Sequence, residues 1–247
     1  VITMSNNHML DKGIDGLIAT MNYWDNMRAK NDITVVGAYR DQEDMENIRI
    51  REVNGVKIAW LAYSEMADLY FSVSYPRRLQ ASEDEPGISP YVESAIIEDI
   101  EAVRDQADVV ILTLHWGVEY NYTPETYQQM AAKKYIDAGA DIILGHHPHC
   151  IQGIETYNGG LIVYSMGNFI FDQEWSQQTM EGIALKLEVS PLGWKSARIY
   201  PVLITAGQPD IVSGDAGASI MDRVIDISAT FGTQFQEDPD SLLVVAP

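Results

Sequence analysis

The 247-residue chain contains a single cysteine, Cys150, so it can form no internal disulfide. It has no run of about 18 apolar residues, which excludes a membrane-spanning helix within these residues. Positive charge is scarce, with 16 Lys and Arg against 36 Asp and Glu and a formal net charge of −20. A surface of this sign repels polyanions, which excludes broad electrostatic binding to nucleic acid or anionic lipid unless a bound cation intervenes. No Gly-x-Ser-x-Gly sequence is present, so serine hydrolase chemistry has no support.

Apolar residues are nonetheless abundant, at 46% of the chain, which is enough for a sizeable core. Helical spacing predicts helices over about 11–30, 90–106 and 218–231, with another beginning near Thr123 and ending at Gly139. Apolar runs predict strands over 33–38, 108–114 and 141–144, and Asn-Gly pairs predict two hairpins. Strands that alternate with helices and then give way to hairpins predict an α/β sandwich of mixed sheets with helices outside.

The domain prediction is one domain over 1–247, with a motif-bearing core over 1–205 and a C-terminal extension over 206–247. Residues 64–90 are expected to form a long irregular loop. The chain opens on Val1-Ile2-Thr3-Met4, which has the pattern of a buried strand entered in its middle. We therefore expect that one or more N-terminal strands, or a leader or anchor, precede these residues in the parent protein.

Each of the five histidines lies just after the end of a predicted apolar strand. Open α/β sheets bind ligands beyond the carboxyl ends of their strands, so three strands would direct imidazoles to one edge. Neutral imidazole is a common transition-metal ligand, and the amide of Asn7 adds an oxygen. The pattern favours a metal or catalytic cluster over a hydrogen-bonded polar edge without metal. The five residues are His8, His115, His146, His147 and His149.

Two of these histidines are expected to act as a pair. His147 and His149 are two residues apart on a segment predicted to be extended, so their side chains should point to the same side. Pro148 between them restricts the backbone. The pair is therefore predicted to form a preformed clip for a ligand.

Several neighbouring residues have more than one possible interpretation. Glu119 is a metal ligand, a general base or a solvated loop acid. Asn168 follows a strand and faces the same edge or is structural, and Trp116 and Tyr120 either wall a pocket or belong to the core. Cys150 is expected to be a buried, inert thiol.

Four segments resemble those of one family in residue type, order and spacing. They are Ser5-Asn6-Asn7-His8 with the helix after it, Leu114-His115-Trp116-Gly117-Val118-Glu119-Tyr120, Gly145-His146-His147-Pro148-His149, and Tyr164-Ser165-Met166-Gly167-Asn168-Phe169. Together they resemble the CapA-type poly-γ-glutamate capsule biosynthesis family, a branch of the calcineurin-like metallophosphatases. The resemblance covers roughly residues 1–172.

This resemblance implies a four-layer α-β-β-α sandwich with a dinuclear metal site at the strand ends. It implies that Asn7 and His115 bind one metal together with His146 or His147, of which His147 is favoured, and that His149 binds toward the other metal. His8 would act beside the scissile group as a general acid or electrostatic stabiliser. Glu119 is taken with it as a catalytic candidate.

The first two motifs of the metallophosphatase superfamily, which include the bridging Asp, do not occur in this chain. Two divalent ions (Mn, Zn or Fe) are therefore expected in a complete domain, and one or none in these residues. The implied function is metal-dependent, phosphoesterase-like hydrolysis of an anionic cell-surface polymer or its precursor. The alternative is a non-catalytic scaffold subunit.

Partners and location are implied in the same way. The expected substrate is an anionic polymer or a small phosphoryl or glutamyl compound, the expected protein partners are membrane-bound synthases, and nucleic acid is not expected. The full-length parent is expected to lie outside the cytoplasmic membrane, attached by an anchor.

Overall fold

The computed structural model describes residues 1–28, 30–31, 33–41, 44, 49–69 and 78–246. These residues form two compact units, Val1–Trp116 (unit 1) and Gly117–Pro247 (unit 2). Part of the irregular segment expected over 64–90 falls at 70–77, outside the described residues. The predicted single domain with its extension from 206 stays a prediction.

Unit 1 contains short strand pairs, one larger set of strands and two described α-helices. A 3₁₀ turn lies at Glu65–Asp68. The elements in chain order are β1 Ile2–Thr3, α1 Gly13–Arg28, β2 Val35–Val36, β3 Ala38–Tyr39, β4 Arg49–Val53, β5 Val56–Ser64, β6 Gly87–Ile88, α2 Glu93–Arg104 and β7 Val109–His115.

The main sheet of unit 1 follows from one turn and two apolar runs. Asn54 and Gly55 both have positive φ, as a tight hairpin turn requires, and they join β4 to β5 in antiparallel register. Strand β5 then pairs in parallel with β7, and this register places Ser64 opposite His115. Strand β7 is buried along its length up to His115, as the apolar run predicts for a strand covered on both faces.

The start of the chain is held by a second, smaller pairing in unit 1. Strand β1 lies parallel to β2, and the Met4 amide continues this pairing by donating to the Val36 carbonyl at 2.8 Å. Gly37 has a φ of +88°, and a Cβ there would lie 2.8 Å from the Ser5 amide nitrogen. This close approach fixes the position at which the Asn7 segment leaves the strand.

Helices of unit 1 bury the faces that their spacing predicts. Ile96, Ile100 and Val103 of α2 are fully buried, and Leu17 and Met21 of α1 are buried. Burying one such side chain stabilises the fold by about 1.5–3 kcal/mol, so these stripes hold the helices in place. Helix α1 begins at Gly13 rather than near Asp11, a difference of two residues.

Unit 2 contains two sheets and two α-helices, with a 3₁₀ turn at Ala229–Phe231. The elements in chain order are α3 Thr126–Ala138, β8 Ile142–His146, β9 Ile154–Tyr157, β10 Gly160–Val163, β11 Glu181–Ser190, β12 Gly193–Thr205, β13 Gln208–Ile211, α4 Gly214–Ser228, β14 Gln236–Asp238 and β15 Ser241–Val245.

Local signals set the ends of α3. Glu125 and Gln128 form a capping box at its start, and Gly139, with a φ of +119°, ends it. Strand β8 follows and pairs in parallel with β10, which forms an antiparallel hairpin with β9. The Asn158-Gly159 turn of that hairpin has positive φ at both residues, as predicted.

The second sheet of unit 2 is antiparallel and centres on β12. This strand pairs with β11, β13 and β15, and β15 pairs with β14. Helix α4 lies against both sheets: a Cβ on Gly217 would lie 3.4 Å from Pro201 of β12, and Ser228 Oγ accepts a hydrogen bond of 2.9 Å from the Ile154 amide of β9. The helix and strands after 206 are therefore packed within this unit.

The predicted fold class, an α/β sandwich of mixed sheets, is confirmed. Parallel and antiparallel pairings occur together in each unit, with helices packed against strands. Among the described residues, no helix is long and apolar enough to cross a membrane.

Candidate metal centre

The site in unit 2 begins where strand β8 ends. Ile142 and Ile143 are fully buried, and they anchor the strand in the core. The chain then turns at His147 and His149, which have φ values of +100° and +57°. Non-glycine residues adopt such conformations at a cost of about 1–3 kcal/mol, and they concentrate at functional sites.

This turn is not the extended segment that the sequence predicts. His147 and His149 were expected to share a side because the segment was predicted to be extended. The segment is bent at both residues, so the alternation of a strand does not apply to it. The two rings lie near each other all the same, with centroids 6.1 Å apart.

A loop after Gly117 is fastened to this turn by hydrogen bonds from the backbone and from a buried side chain. The Tyr120 amide donates to the Pro148 carbonyl at 2.8 Å. The Asn121 carbonyl accepts from Gln152 Nε2 at 2.7 Å, and Gln152 is fully buried. These bonds hold the loop that carries Glu119 beside the two histidines.

The result is a group of three potential ligands. One carboxylate oxygen of Glu119 and one ring nitrogen each of His147 and His149 all lie within 4.8 Å of one another. Glu119 is exposed to solvent, whereas His147 is only 9% exposed. The group therefore has a buried side made of imidazole and an open side made of carboxylate.

His149 is held on several sides. Its Nδ1 lies 2.8 Å from Asn168 Oδ1. The Phe171 ring lies 5.1 Å and the Tyr120 ring 6.0 Å from the imidazole, measured between centroids. Tyr120 in turn meets Trp175 edge to face at 6.1 Å, and Trp175 is 65% exposed. These aromatic rings form one wall beside the group of ligands.

Two neighbouring residues lie outside this group. Burial lowers the pKa of His146 to about 4, so its ring is neutral at physiological pH. Burial raises the pKa of the Cys150 thiol to about 12, and the thiol is 1% exposed, which fits the expectation of an inert thiol.

Unit 1 presents a second pair of candidate ligands. Asn7, four residues after β1, and His115, the last residue of β7, meet with Oδ1 and Nε2 3.0 Å apart. A carbonyl oxygen only accepts, so the ring Nε2–H donates to Asn7. Residues 108 positions apart are thus brought together, as the strand-end argument requires within this unit.

His8 adjoins this segment but points to solvent. Its side chain is 56% exposed, and its Nδ1 lies 3.0 Å from Asp11 Oδ2. Asn6 Oδ1 accepts from the His8 amide at 2.9 Å and fixes the local turn. An ionised carboxylate only accepts, so Nδ1 carries a proton and Nε2 faces away from Asp11.

The predicted residues therefore fall into two observed groups. Asn7 and His115 meet in unit 1, and Glu119, His147 and His149 meet in unit 2. The prediction that His8, His115 and His149 share one edge stays a prediction, as do the individual roles. Trp116 is fully buried, with its ring centroid 6.5 Å from that of Tyr91, whereas Tyr120 is 39% exposed beside His149.

Sequence reasoning missed Phe171, Gln173 and Trp175, which surround His149 or Tyr120. They lie in a segment without regular periodicity. The available signal was the Gly167-Asn168-Phe169 segment after an apolar run, which marks the point where the chain returns to the histidines.

The first 173 residues match the model of the family described as bacterial capsule synthesis protein PGA_cap. The chain belongs to the PGA_cap family. This finding confirms the resemblance drawn from the four segments. All of the candidate ligands in both units lie within the matched range.

Curated proteins with related sequences carry consistent names. The chain is 34% identical to the PGA biosynthesis protein CapA of Bacillus subtilis over 217 residues, which are 87% of the chain and 54% of that protein. It is 30% identical to the capsule biosynthesis protein CapA of Bacillus anthracis over 246 residues, covering 98% of the chain and 57% of that protein. The chain thus spans a little over half the length of these relatives.

A third relative carries a different description. The chain is 27% identical over 261 aligned positions to a Mycobacterium tuberculosis protein named "Probable polyglutamine synthesis accessory protein", covering 100% of the chain and 67% of that protein. Its name describes an accessory part in polymer synthesis.

Proposed function

We propose that this PGA_cap chain holds a divalent metal ion through Glu119, His147 and His149 and serves as a hydrolase-like module in the synthesis of an anionic capsule polymer. The observation that carries the proposal is the convergence of these three side chains within 4.8 Å. Two imidazoles with one carboxylate form a ligand set that Zn²⁺ and Fe²⁺ sites use.

The donor set fits such an ion on chemical grounds. Because Nδ1 of His149 faces Asn168, Nε2 is the ring nitrogen left for a metal. The φ values at His147 and His149 show a backbone held in a costly conformation where the two rings come together. When bound, the ion would supply a Lewis acid and a water of lowered pKa.

The aromatic side chains beside the three proposed ligands would orient the His149 ring and shield it from solvent. Phe171 and Tyr120 limit the rotation of the His149 ring by packing near it. Exposed Glu119 leaves the group open to a large substrate from solvent. A bound cation would also let a chain of charge −20 hold an anionic substrate that its surface otherwise repels.

We propose roles in unit 1 as well. His8 would transfer a proton through Nε2, because Asp11 engages Nδ1. Asn7 and His115 would supply an amide oxygen and an imidazole nitrogen to a metal, which would replace the hydrogen bond between them with loss of the Nε2 proton.

The proposed substrate is a poly-γ-glutamate chain or a small phosphoryl or glutamyl precursor. Support comes from the family and from the names of the Bacillus relatives. We propose that the full-length parent acts outside the cytoplasmic membrane beside a membrane-bound synthase, and that it binds no nucleic acid.

Titration of metal-stripped protein with Mn²⁺ or Zn²⁺ tests metal binding. An ion at 100 times its Kd stabilises the fold by about 2.7 kcal/mol, which raises the Tm of a protein of this length by roughly 5–11 °C. Replacing His149 or His147 with Ala should weaken binding at least about 100-fold and reduce the rise to roughly 1–2 °C.

A matched pair of carboxylate variants provides the control. Glu119→Gln should lose most of the stabilisation, whereas Glu188→Gln, at another exposed carboxylate of unit 2, should keep it all. Hydrolysis of phosphodiester and γ-glutamyl substrates is then followed with and without metal. Equal metal-induced shifts in all these variants would rule out the proposed ligands.

A scaffold role is the second candidate, favoured by the accessory description of the Mycobacterium tuberculosis relative. It predicts that polymer yield in cells survives His149→Ala when the variant is folded and expressed at the normal level. Loss of polymer with normal expression would instead favour the hydrolase-like function.

A further inference from the structure

We infer that Asn168 is a positioning residue that fixes the tautomer of His149, so that Nε2 presents its lone pair to the ligand group. The inference rests on the proposed metal-binding function of His149. It concerns a residue outside the three-ligand group, connected to it through one hydrogen bond of 2.8 Å.

The orientation of the Asn168 amide is determined by its other partners. The Nδ2 group donates to the Thr179 carbonyl at 2.9 Å and to Gln173 Oε1 at 3.3 Å. The Thr179 carbonyl can only accept, so the nitrogen must face it and Oδ1 must face His149. Asn168 is only 8% exposed, so water does not easily replace these bonds.

The tautomer follows from this orientation. A carbonyl oxygen accepts and never donates, so the hydrogen between Asn168 and His149 belongs to His149 Nδ1. In the neutral ring the proton on Nδ1 leaves Nε2 without one. A nitrogen must be unprotonated to bind a metal, so Asn168 prepares the ring for coordination before the ion arrives.

The backbone around Asn168 is rigid enough for this task. Gly167 has a φ of +73°, and a Cβ there would lie 2.6 Å from the Glu181 carbonyl oxygen. A Cβ on Gly182 would lie 2.0 Å from the Asn168 carbonyl oxygen, and the two glycines form an isolated antiparallel bridge. The amide is thus held at a fixed distance from the histidine turn.

A purely structural role makes a different prediction. In that case Asn168 would matter through its two donated bonds, which hold the segment from Gln173 to Thr179. Asn168→Asp separates the two roles, because a carboxylate keeps an acceptor for His149 and loses both donors. Asn168→Ala removes acceptor and donors together.

The tautomer is measured in the metal-free protein by nitrogen NMR of the histidine rings, at about pH 8, above the ordinary imidazole pKa of about 6.5. The wild type and Asn168→Asp should show the proton of His149 on Nδ1, and Asn168→Ala should shift it toward Nε2. Gln177→Ala, which removes instead the hydrogen bond of 2.8 Å from this segment to Glu181, should match the wild type. A proton on Nε2 in the wild type overturns the inference, even if Asn168→Ala fails to fold.

Metal affinity provides the second measurement, by competition with a chromophoric chelator for Zn²⁺. Loss of an outer partner of a ligating histidine weakens binding about 10–100-fold, which is expected for Asn168→Ala but not for Asn168→Asp or Gln177→Ala. If Asn168→Asp weakens binding as much as Asn168→Ala, the structural role is correct. If the wild type binds no Zn²⁺ while His149 holds its proton on Nδ1, the proposed metal-binding function is wrong. The link between this tautomer and metal binding is then wrong as well, and only the role of Asn168 in fixing the tautomer of His149 is retained.

Discussion

Replacing Gly117 with Ala should disturb the loop that carries Glu119 while leaving every candidate ligand in the sequence. Gly117 has a φ of +89°, and a Cβ there would lie 2.7 Å from Gln128 Nε2 and 3.0 Å from Gln128 Cδ. Gln128 is fully buried, and its Oε1 accepts a hydrogen bond of 2.8 Å from the Glu125 amide. The added methyl group must therefore move a buried capping residue.

The expected cost has two parts. A left-handed backbone costs an alanine about 1–2 kcal/mol relative to glycine. Displacing Gln128 breaks one bond of the capping box at the start of α3, which costs about 1 kcal/mol more. The sum of about 2–3 kcal/mol corresponds to a fall in Tm of roughly 4–12 °C for a chain of this length.

Gly159→Ala is the matched control, because Gly159 has a φ of +85° and a Cβ there would meet no atom within 4 Å. Gly159→Ala carries the same cost of a left-handed backbone and the same effect of a methyl group on the unfolded chain as Gly117→Ala. The difference in the free energy of unfolding between the two variants therefore isolates the contact with Gln128. Calorimetry should find Gly117→Ala less stable than Gly159→Ala by about 1 kcal/mol or more, and chelator competition should find weaker metal binding only in Gly117→Ala. Equal Tm and equal metal affinity in both variants would refute this account of how Glu119 is positioned.

Two further predictions concern stability. Tyr164→Phe removes the hydroxyl that donates to Glu155 at 2.7 Å. Because Glu155 is only 6% exposed, unfolding in urea should show a free energy of unfolding lower by about 1.5–3 kcal/mol. Tyr157→Phe, at an exposed hydroxyl, should change the free energy of unfolding by less than about 0.5 kcal/mol. Burial raises the pKa of Asp99 in the folded state, so the wild type loses stability as the pH rises from the pKa of the unfolded state through that of the folded state. Asp99→Asn can still accept from Tyr63, so it should be more stable than the wild type at pH 7 and no more stable below the unfolded pKa. Absence of a gain at pH 7 would contradict this prediction.

Strand ends and turns were predictable from local sequence. The apolar run before His115 gave the strand β7, and the Asn54-Gly55 and Asn158-Gly159 pairs gave both hairpin turns. These features depend on burial and on the conformational freedom of neighbouring residues, which a single segment records. The meeting of Asn7 with His115 follows from the same strand-end argument within unit 1.

Two short strands after 206 could not be found in this way. Gln208–Ile211 and Gln236–Asp238 are short and largely exposed, so they carry little apolar pattern. They form because β12 and β15 offer free edges, and such pairings depend on residues far along the chain.

The shape of the histidine turn was equally hidden. The sequence predicts an extended segment stiffened by Pro148. It contains no signal for positive φ at both His147 and His149. That conformation is imposed by bonds from elsewhere in unit 2, including the one from the Tyr120 amide to Pro148. Glu119, His147 and His149 were thus each candidates from the sequence, whereas their meeting in one group and its geometry were not predictable.

Anomalous X-ray diffraction from crystals of the protein grown with Zn²⁺ tests the proposed metal centre most directly. The account predicts a peak at the zinc edge about 2.0–2.2 Å from a Glu119 carboxylate oxygen, His149 Nε2 and a ring nitrogen of His147. A fully loaded crystal with its zinc elsewhere, or with no zinc at these three side chains, would contradict it.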